Sequence, residues 1–203
     1  VDPSRITQAS QAAAPSAVGA AAAGATITLN FADPNDYGVL NYAYALEQLE
    51  AAFYQKVVTA AQYTSIFPIA EQRIFNDLRD HEAIHRDFLR AALGSDAIPN
   101  LTPQFGSIDF NSRASVLSAA QTFEDTGVGA YNGAARYIKN SAYLTIAGKI
   151  VSVEARHASA IRDLQQPRSG NFAPNTFDPA SKPTDVAMAV KPFLAETITI
   201  INS

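Results

Sequence analysis

The chain has 203 residues, of which 47% are apolar and 17% are charged, and this balance is typical of a folded globular domain rather than a disordered segment. Its 15 lysine and arginine residues against 19 aspartate and glutamate residues give a net charge of −4, which argues against a nucleic-acid partner, and the chain has no cysteine for a disulfide or a thiolate metal site. No stretch of about 20 strongly apolar residues is present, so we expect no membrane span.

Residues 1–33 are expected to form an extended, alanine-rich N-terminal arm, because proline and glycine interrupt any long helix there. The chain begins at Val1 with no basic signal-peptide start, and we expect a mature exported protein whose leader has been removed. Residues 26–31 and 197–201 show strand-like patterns. These two segments are expected to pair with each other, to pair with a neighbouring copy, or to lie on the surface as flexible arms.

Between residues 34 and 166 the apolar positions recur with the period of a helix and predict four long helices. Ser112 is suited to cap the third helix, and Gly94 to end the second. A long connection rich in proline and glycine lies between these two helices. The pattern predicts an all-α, antiparallel four-helix bundle with one long crossover, followed by a C-terminal loop and strand extension over residues 167–203. The predicted helices span about 35–62, 68–93, 112–140 and 141–166.

Two of the three histidines follow a glutamate by three residues, as Glu82 with His85 and Glu154 with His157. Residues three apart lie on the same face of a helix, so each pair can bind one metal ion through a carboxylate and an imidazole. One such pair is a weak signal, but one pair on each of two predicted helices is much stronger.

The other two helices carry three more glutamates, Glu47 and Glu50 on the first and Glu124 on the third. Buried carboxylates are costly to desolvate without compensation, and two divalent cations would balance four of them. Four carboxylates and two imidazoles therefore predict a metal pair bridged by two of the glutamates, with chance surface positions or a degenerate site as the alternatives. The three glycines between residues 127 and 133 indicate close packing or room for a reactant beside Glu124.

A tyrosine follows the single glutamate of each half by seven residues, Tyr54 after Glu47 and Tyr131 after Glu124. Seven residues make two helical turns, so each tyrosine is expected on the face of its own glutamate, either just outside the metal ligands or as a plain core residue. The repeat predicts a pseudo-twofold bundle with the site on its axis. His81 is expected to face solvent.

The motif order and the segment NYAYALEQLEAAFY over residues 41–54 resemble the ferritin-like superfamily of di-iron and di-manganese carboxylate proteins, nearest to its branch linked to desiccation and stress. The resemblance covers residues 34–166. It favours Glu47 over Glu50, because an aromatic residue commonly follows the first ligand by seven positions in that superfamily. The resemblance implies six metal ligands, namely Glu47, Glu82, His85, Glu124, Glu154 and His157, with Glu50, Tyr54 and Tyr131 beside them.

The resemblance implies two iron ions, or two manganese ions, and O2 or peroxide as the small-molecule substrate. Ferroxidase, peroxidase and manganese-catalase activities all occur on this ligand set, and a fold alone does not choose among them. Without cysteine, electrons would come from an outside donor. The alternative from another class is a self-assembling envelope or extracellular subunit, homo-oligomeric through its arms, in which the site is vacant or purely structural.

Overall fold

The computed structural model describes residues 19–203 and confirms the predicted all-α bundle with two short strands near its termini. None of the helices in this described part combines the length and the apolar character that a membrane crossing requires. The four long helices α1, α3, α4 and α5 form the bundle. The elements are β1 (Thr26–Asn30), α1 (Tyr37–Val58), α2 (Tyr63–Ile66), α3 (Ile69–Leu93), α4 (Arg113–Ala134), α5 (Ser141–Gln165), α6 (Pro183–Val190) and β2 (Thr197–Ile201).

Hydrogen bonds at the helix ends show that the bundle is built from two antiparallel pairs. The Asn41 side chain, near the start of α1, donates to the carbonyl of Asp96 (2.8 Å) and accepts from the amide of Ile98 (2.7 Å), both just beyond the end of α3. In the second pair, Gln165 at the end of α5 donates to the carbonyl of Leu117 near the start of α4 (2.9 Å). Helix α1 therefore runs against α3, and α4 runs against α5.

The crossover between α3 and α4 carries the chain back along the bundle. Arg113, the first residue of α4, binds Glu71 near the start of α3 through two hydrogen bonds of 2.8 Å. The same guanidinium donates to the carbonyl of Leu164 near the end of α5 (2.9 Å). Helix α4 thus begins at the end of the bundle where α3 began, and phenylalanines of the crossover pack on α1 along the way.

Capping residues set most helix ends where the sequence placed them. Ser112 caps α4 with its side chain, and Gly94 ends α3 with a φ of 59°. Helix α4 ends at Ala134, earlier than the predicted residue 140, because the chain tightens into a 3-10 turn over Ala135–Tyr137. Asn140 then caps α5 by accepting from its first turn.

Asp36 makes a contact that its sequence position did not reveal. It precedes α1 with a left-handed φ of 64°, and its carboxylate does not cap α1. Instead the buried carboxylate accepts from the backbone amides of Lys139 (3.0 Å) and Asn140 (2.8 Å). This residue therefore fastens the start of α1 to the start of α5.

The two strands pair with each other within the chain. They run parallel, in register from Thr26 opposite Thr197 to Asn30 opposite Ile201. The expectation of flexible surface arms is wrong for these segments, and pairing of their outer edges with a neighbouring copy stays a prediction. The first 18 residues of the predicted N-terminal arm lie outside the described part of the chain, and the predicted domain boundaries stay predictions.

Two of the glycines in α4 make room for the C-terminal extension. A Cβ atom at Gly133 would lie 1.7 Å from the carbonyl oxygen of Ser181, and one at Gly129 would lie 2.5 Å from its hydroxyl. The amide of Ser181 also donates to the carbonyl of Gly129 (2.8 Å). At these two positions the predicted close packing is present, and the packed segment is the extension rather than another helix.

We expect Gly133→Ala to lower the free energy of unfolding by about 1–3 kcal/mol, because the new methyl group overlaps backbone that cannot give way easily. Gly148→Ala is the matched control, since a methyl group at that helical glycine would meet no neighbouring element within 4 Å. The control is expected to raise the free energy of unfolding by up to ~1 kcal/mol through helix propensity. Urea denaturation measures both, and equal effects would contradict the packing assigned to Gly133.

Candidate metal centre

All six predicted ligand side chains meet in the interior of the bundle, one from each of α1 and α4 and two from each of α3 and α5. The four carboxylates are completely buried, and His157 is nearly so. His85 keeps 13% of its side chain exposed. Four acidic groups and two imidazoles therefore lie together in the bundle interior, and most of them are shielded from solvent. The four buried carboxylates are those of Glu47, Glu82, Glu124 and Glu154.

The six residues form two overlapping groups of four, and each group offers four ligand atoms within 4.8 Å of one another. Two of the glutamates belong to both groups, and each group has one glutamate and one histidine of its own. This is the arrangement that two neighbouring cations with two bridging carboxylates require. The first group is Glu47, Glu82, His85 and Glu154, and the second is Glu82, Glu124, Glu154 and His157.

The two shared glutamates each turn one oxygen toward each imidazole. Glu82 places Oε2 3.5 Å from Nδ1 of His85 and Oε1 2.8 Å from Nδ1 of His157. Glu154 places Oε1 3.0 Å from Nδ1 of His85 and Oε2 3.9 Å from Nδ1 of His157. Both carboxylates can therefore donate one oxygen to each of two cations, one cation next to each histidine.

Eight metal-ligating atoms of these residues are buried and form no hydrogen bond of acceptable geometry, although Nδ1 of each histidine lies within ion-pair distance of a carboxylate. Buried polar atoms in proteins are nearly always satisfied, so an orphaned set this large in one place indicates a ligand that the polypeptide itself does not supply. Oxygen and imidazole donors with four carboxylates suit divalent iron or manganese. The orphaned atoms are Oε2 of Glu47 and Glu124, both carboxylate oxygens of Glu82 and Glu154, and Nδ1 of His85 and His157.

The two tyrosines hold the glutamates of the opposite half of the bundle. The phenol of Tyr54 donates to Oε1 of Glu124, and the phenol of Tyr131 donates to Oε1 of Glu47. Each tyrosine therefore contacts a carboxylate of the facing helix rather than the glutamate seven residues before it. Each hydrogen bond engages Oε1 and leaves Oε2 as the orphaned oxygen that faces the centre.

Burial and mutual repulsion shape the protonation of the acidic cluster. Burial raises the pKa of Glu47 to about 7 despite the nearby imidazole of His85. The pKa of Glu154 rises well above its ordinary value through burial and then through the charges of Glu82 and Glu47. Without cations, this interior therefore favours neutral carboxyl groups at these positions.

The pKa values of the two imidazoles are also raised, whereas that of Glu82 is lowered. Burial alone would lower the pKa of each histidine, but the surrounding carboxylates outweigh it and raise the pKa of His85 to about 12 and that of His157 to about 10. Burial likewise raises the pKa of Glu82, yet the imidazoles of His157 and His85 outweigh it and bring the pKa down to about 2. In the metal-free chain, protonated imidazoles thus supply the positive charge that bound metal ions would otherwise provide.

Glu50 is a fifth buried carboxylate beside the centre, with 3% of its surface exposed. Burial and the charge of Glu154 raise its pKa well above the ordinary value. A Cβ atom at Gly127 would lie 3.0 Å from Oε1 of Glu50 and 3.5 Å from Oε2 of Glu154, so the missing side chain of that glycine makes room for both carboxylates. Glu50 lies outside the two groups of four, as its assignment beside the ligands predicts.

His81 is exposed, as expected, and its ring also contacts a residue of the centre. Its Nδ1 lies 2.9 Å from Nε2 of His157, and the two rings stack with centroids 5.2 Å apart and planes 11° apart. The spacing of four residues between His81 and His85 shows that both lie on one helix face, but it does not show which residue of another helix that face contacts.

A cleft of about 330 Å³ between α3 and α5 leads from the surface to the centre. All three histidines line it, and Ile84, with 64% of its surface exposed, stands at its mouth. Small molecules and ions therefore have a direct approach to the imidazole side of the centre. The remaining lining residues are Ile74, Asp77, Leu78, Val153, Arg156 and Ala160.

A family model described as a ferritin-like domain matches residues 35–167, which include the whole bundle and all six residues of the centre. No curated protein matches the chain.

We expect divalent cations to stabilise the metal-free protein, because they satisfy donor atoms that exist as a cluster only in the folded state. At a cation concentration about 100 times the dissociation constant, binding to the folded state alone adds about 2.7 kcal/mol. Thermal unfolding after treatment with a chelator, with and without Mn(II) or anaerobic Fe(II), measures this gain. An unchanged melting temperature would contradict a cation site in the bundle.

We expect Tyr54→Phe and Tyr131→Phe each to weaken cation binding about 10–100-fold at one position, because each variant frees one carboxylate oxygen from its hydrogen bond. Tyr54→Phe should weaken binding at the cation position that includes Glu124, and Tyr131→Phe at the cation position that includes Glu47. Tyr63→Phe is the matched control, since its phenol donates to the carbonyl of Gln72. Calorimetric titration with Mn(II) measures the affinities, and a loss as large in the control would contradict the assignment.

Proposed function

The chain belongs to the ferritin-like domain family, and from that membership we propose that it binds a carboxylate-bridged pair of iron ions, or else manganese ions, for oxidation linked to O2 or peroxide. The observation that carries this proposal is the set of eight orphaned donor atoms, arranged as two groups that share two glutamates. A scaffold without a metal role would gain stability from apolar side chains at these positions, because buried ionic groups carry a large desolvation cost.

In this proposal each cation has one histidine and one terminal glutamate of its own. Glu47 and His85 would hold one cation, and Glu124 and His157 would hold the other. Glu82 and Glu154 would bridge them, each with one oxygen toward each imidazole. When bound, a pair of iron ions supplies one-electron redox chemistry toward O2 or peroxide, and a pair of manganese ions supplies peroxide disproportionation.

The protein's own side chains prepare this site before any cation arrives. Tyr54 and Tyr131 hold Oε1 of the two terminal glutamates, which leaves the second oxygen of each directed at the centre. The buried bundle interior removes water from the carboxylates, and this strengthens their attraction for a cation. The cleft between α3 and α5 supports access for a reactant as small as O2 or peroxide.

We favour iron over manganese because iron is the more frequent metal in proteins of this kind, although the oxygen and nitrogen donors suit both. A role in stress or desiccation protection, export from the cell and a homo-oligomeric state remain part of the proposal. The competing role as a self-assembling subunit has less support, because its strand-forming segments already pair with each other within one chain.

Elemental analysis after reconstitution tests the proposal directly, and we expect about two metal ions per chain, as the two ligand groups require. Glu124→Ala removes a terminal ligand and should lose at least one ion. Glu50→Ala, at a buried carboxylate outside both groups, is the matched control and should retain two ions at saturating metal. No metal in the reconstituted wild type would overturn the proposal in favour of a scaffold role.

The redox part of the proposal has its own test. Anaerobic Fe(II) is loaded at two equivalents per chain, O2 or hydrogen peroxide is added, and the rise of Fe(III) absorbance is followed. We expect oxidation faster than that of Fe(II) in buffer, and at least tenfold slower oxidation in Glu124→Ala. Rates equal to those in buffer, with two ions still bound, would leave a metal site without the proposed oxidation chemistry.

A further inference from the structure

The two halves of the bundle match residue by residue at the centre. Helices α1 and α3 of the first half correspond to α4 and α5 of the second. Each half has one terminal glutamate, one tyrosine seven residues later, one bridging glutamate and one histidine. The matched pairs are Glu47 with Glu124, Tyr54 with Tyr131, Glu82 with Glu154, and His85 with His157.

The first departure from this symmetry is His81. It lies four residues before His85, and the corresponding residue of the second half, four before His157, is Val153. Both residues line the cleft between α3 and α5. Nδ1 of His81 lies 2.9 Å from Nε2 of His157, whereas Val153 has no polar side-chain atom to offer His85. Only one of the two ligand imidazoles therefore has a histidine partner at this position.

The second departure is Glu50. It follows Glu47 by three residues, and the corresponding residue of the second half is Gly127. A Cβ atom at Gly127 would approach Oε1 of Glu50 and Oε2 of Glu154, so the space left by the missing side chain accommodates both carboxylates. The first half therefore has one more buried carboxylate beside the centre than the second.

Of the two departures, His81 acts directly on one cation position, through its contact with His157. We propose that the two cation positions are unequal, and that the position of His157 and Glu124 binds the first cation while the position of His85 and Glu47 binds the second. This inference rests on the proposed metal pair and adds the order in which its positions fill.

The physical reason concerns orientation. An imidazole that binds a cation through Nδ1 carries a proton on Nε2, and a hydrogen-bond acceptor for that proton fixes the ring and its tautomer. In the tautomer with its proton on Nε2, His81 offers Nδ1 as such an acceptor to His157, and partners of this kind commonly change metal affinity 10–100-fold. His81 is thus a positioning residue, acting through His157.

Titration of the metal-free protein with Mn(II) tests the order of filling. Calorimetry, with free Mn(II) followed by its EPR signal, should show two binding steps whose affinities differ by at least tenfold. His157→Ala should remove the tight step and leave the weak one, and His85→Ala should do the reverse. Two steps of equal affinity would overturn the inference, as would loss of the tight step in His85→Ala alone.

Exchange of the two asymmetric residues gives the sharper test. His81→Val makes the two halves alike at this position and should bring the two affinities closer by about 10-fold or more. Val153→His in that background should make the His85 position the tight one, so that His85→Ala now removes the tight step. His81→Asn, which retains an acceptor atom, should preserve the wild-type order, and so should the control Ile84→Ala at the mouth of the same cleft.

The outcomes separate this inference from the proposed function. Two bound cations with equal affinities, or with an order unaffected by the exchange of residues 81 and 153, would overturn the inference and leave the metal pair intact. No bound cation at any concentration would overturn both. Melting temperatures of the metal-free variants show whether each is folded, and in His157→Ala and His85→Ala the remaining binding step is the internal reference for the step that is lost.

Discussion

The structure depends on the electrostatic balance at its centre, where five carboxylates are buried close together. Like charges at this separation repel strongly in an interior that screens poorly, and each ionised group also loses its hydration. In the metal-free chain, neutral carboxyl groups and protonated imidazoles offset the repulsion. A pair of cations would do so while also satisfying the orphaned donor atoms. The ligand geometry is therefore best explained by cations that the polypeptide does not contain.

The bundle is built to keep these groups in place. Helix ends are fastened by specific polar contacts, such as the carboxylate of Asp36 on the start of α5 and the guanidinium of Arg113 on α3. The two tyrosines cross between α1 and α4 and connect the halves directly at the centre. The C-terminal extension packs on α4 at its two glycines, and its strand closes against β1. Segments outside the four helices thus brace the helix that contributes Glu124.

The near-symmetry of the centre makes its few asymmetries informative. A bundle of two matching halves would present two equivalent cation positions, and the four matched residue pairs do follow that plan. His81 and Glu50 break it, and His81 does so by contacting His157 alone of the two ligand imidazoles. Two unequal cation positions would bind their cations in separate first and second steps, which two equivalent positions would not do.

The sequence by itself determined the four helices, the crossover and the six converging residues, because helix period, capping and the Glu-x-x-His spacing are local properties of the chain. It also placed Tyr54 and Tyr131 near the ligands. Only the tertiary structure decided that each tyrosine serves the opposite helix, that His81 reaches His157, and that β1 pairs with β2. These contacts join elements far apart in sequence, and they depend on how each helix is rotated and offset against its neighbour, which residue spacing within one helix does not specify.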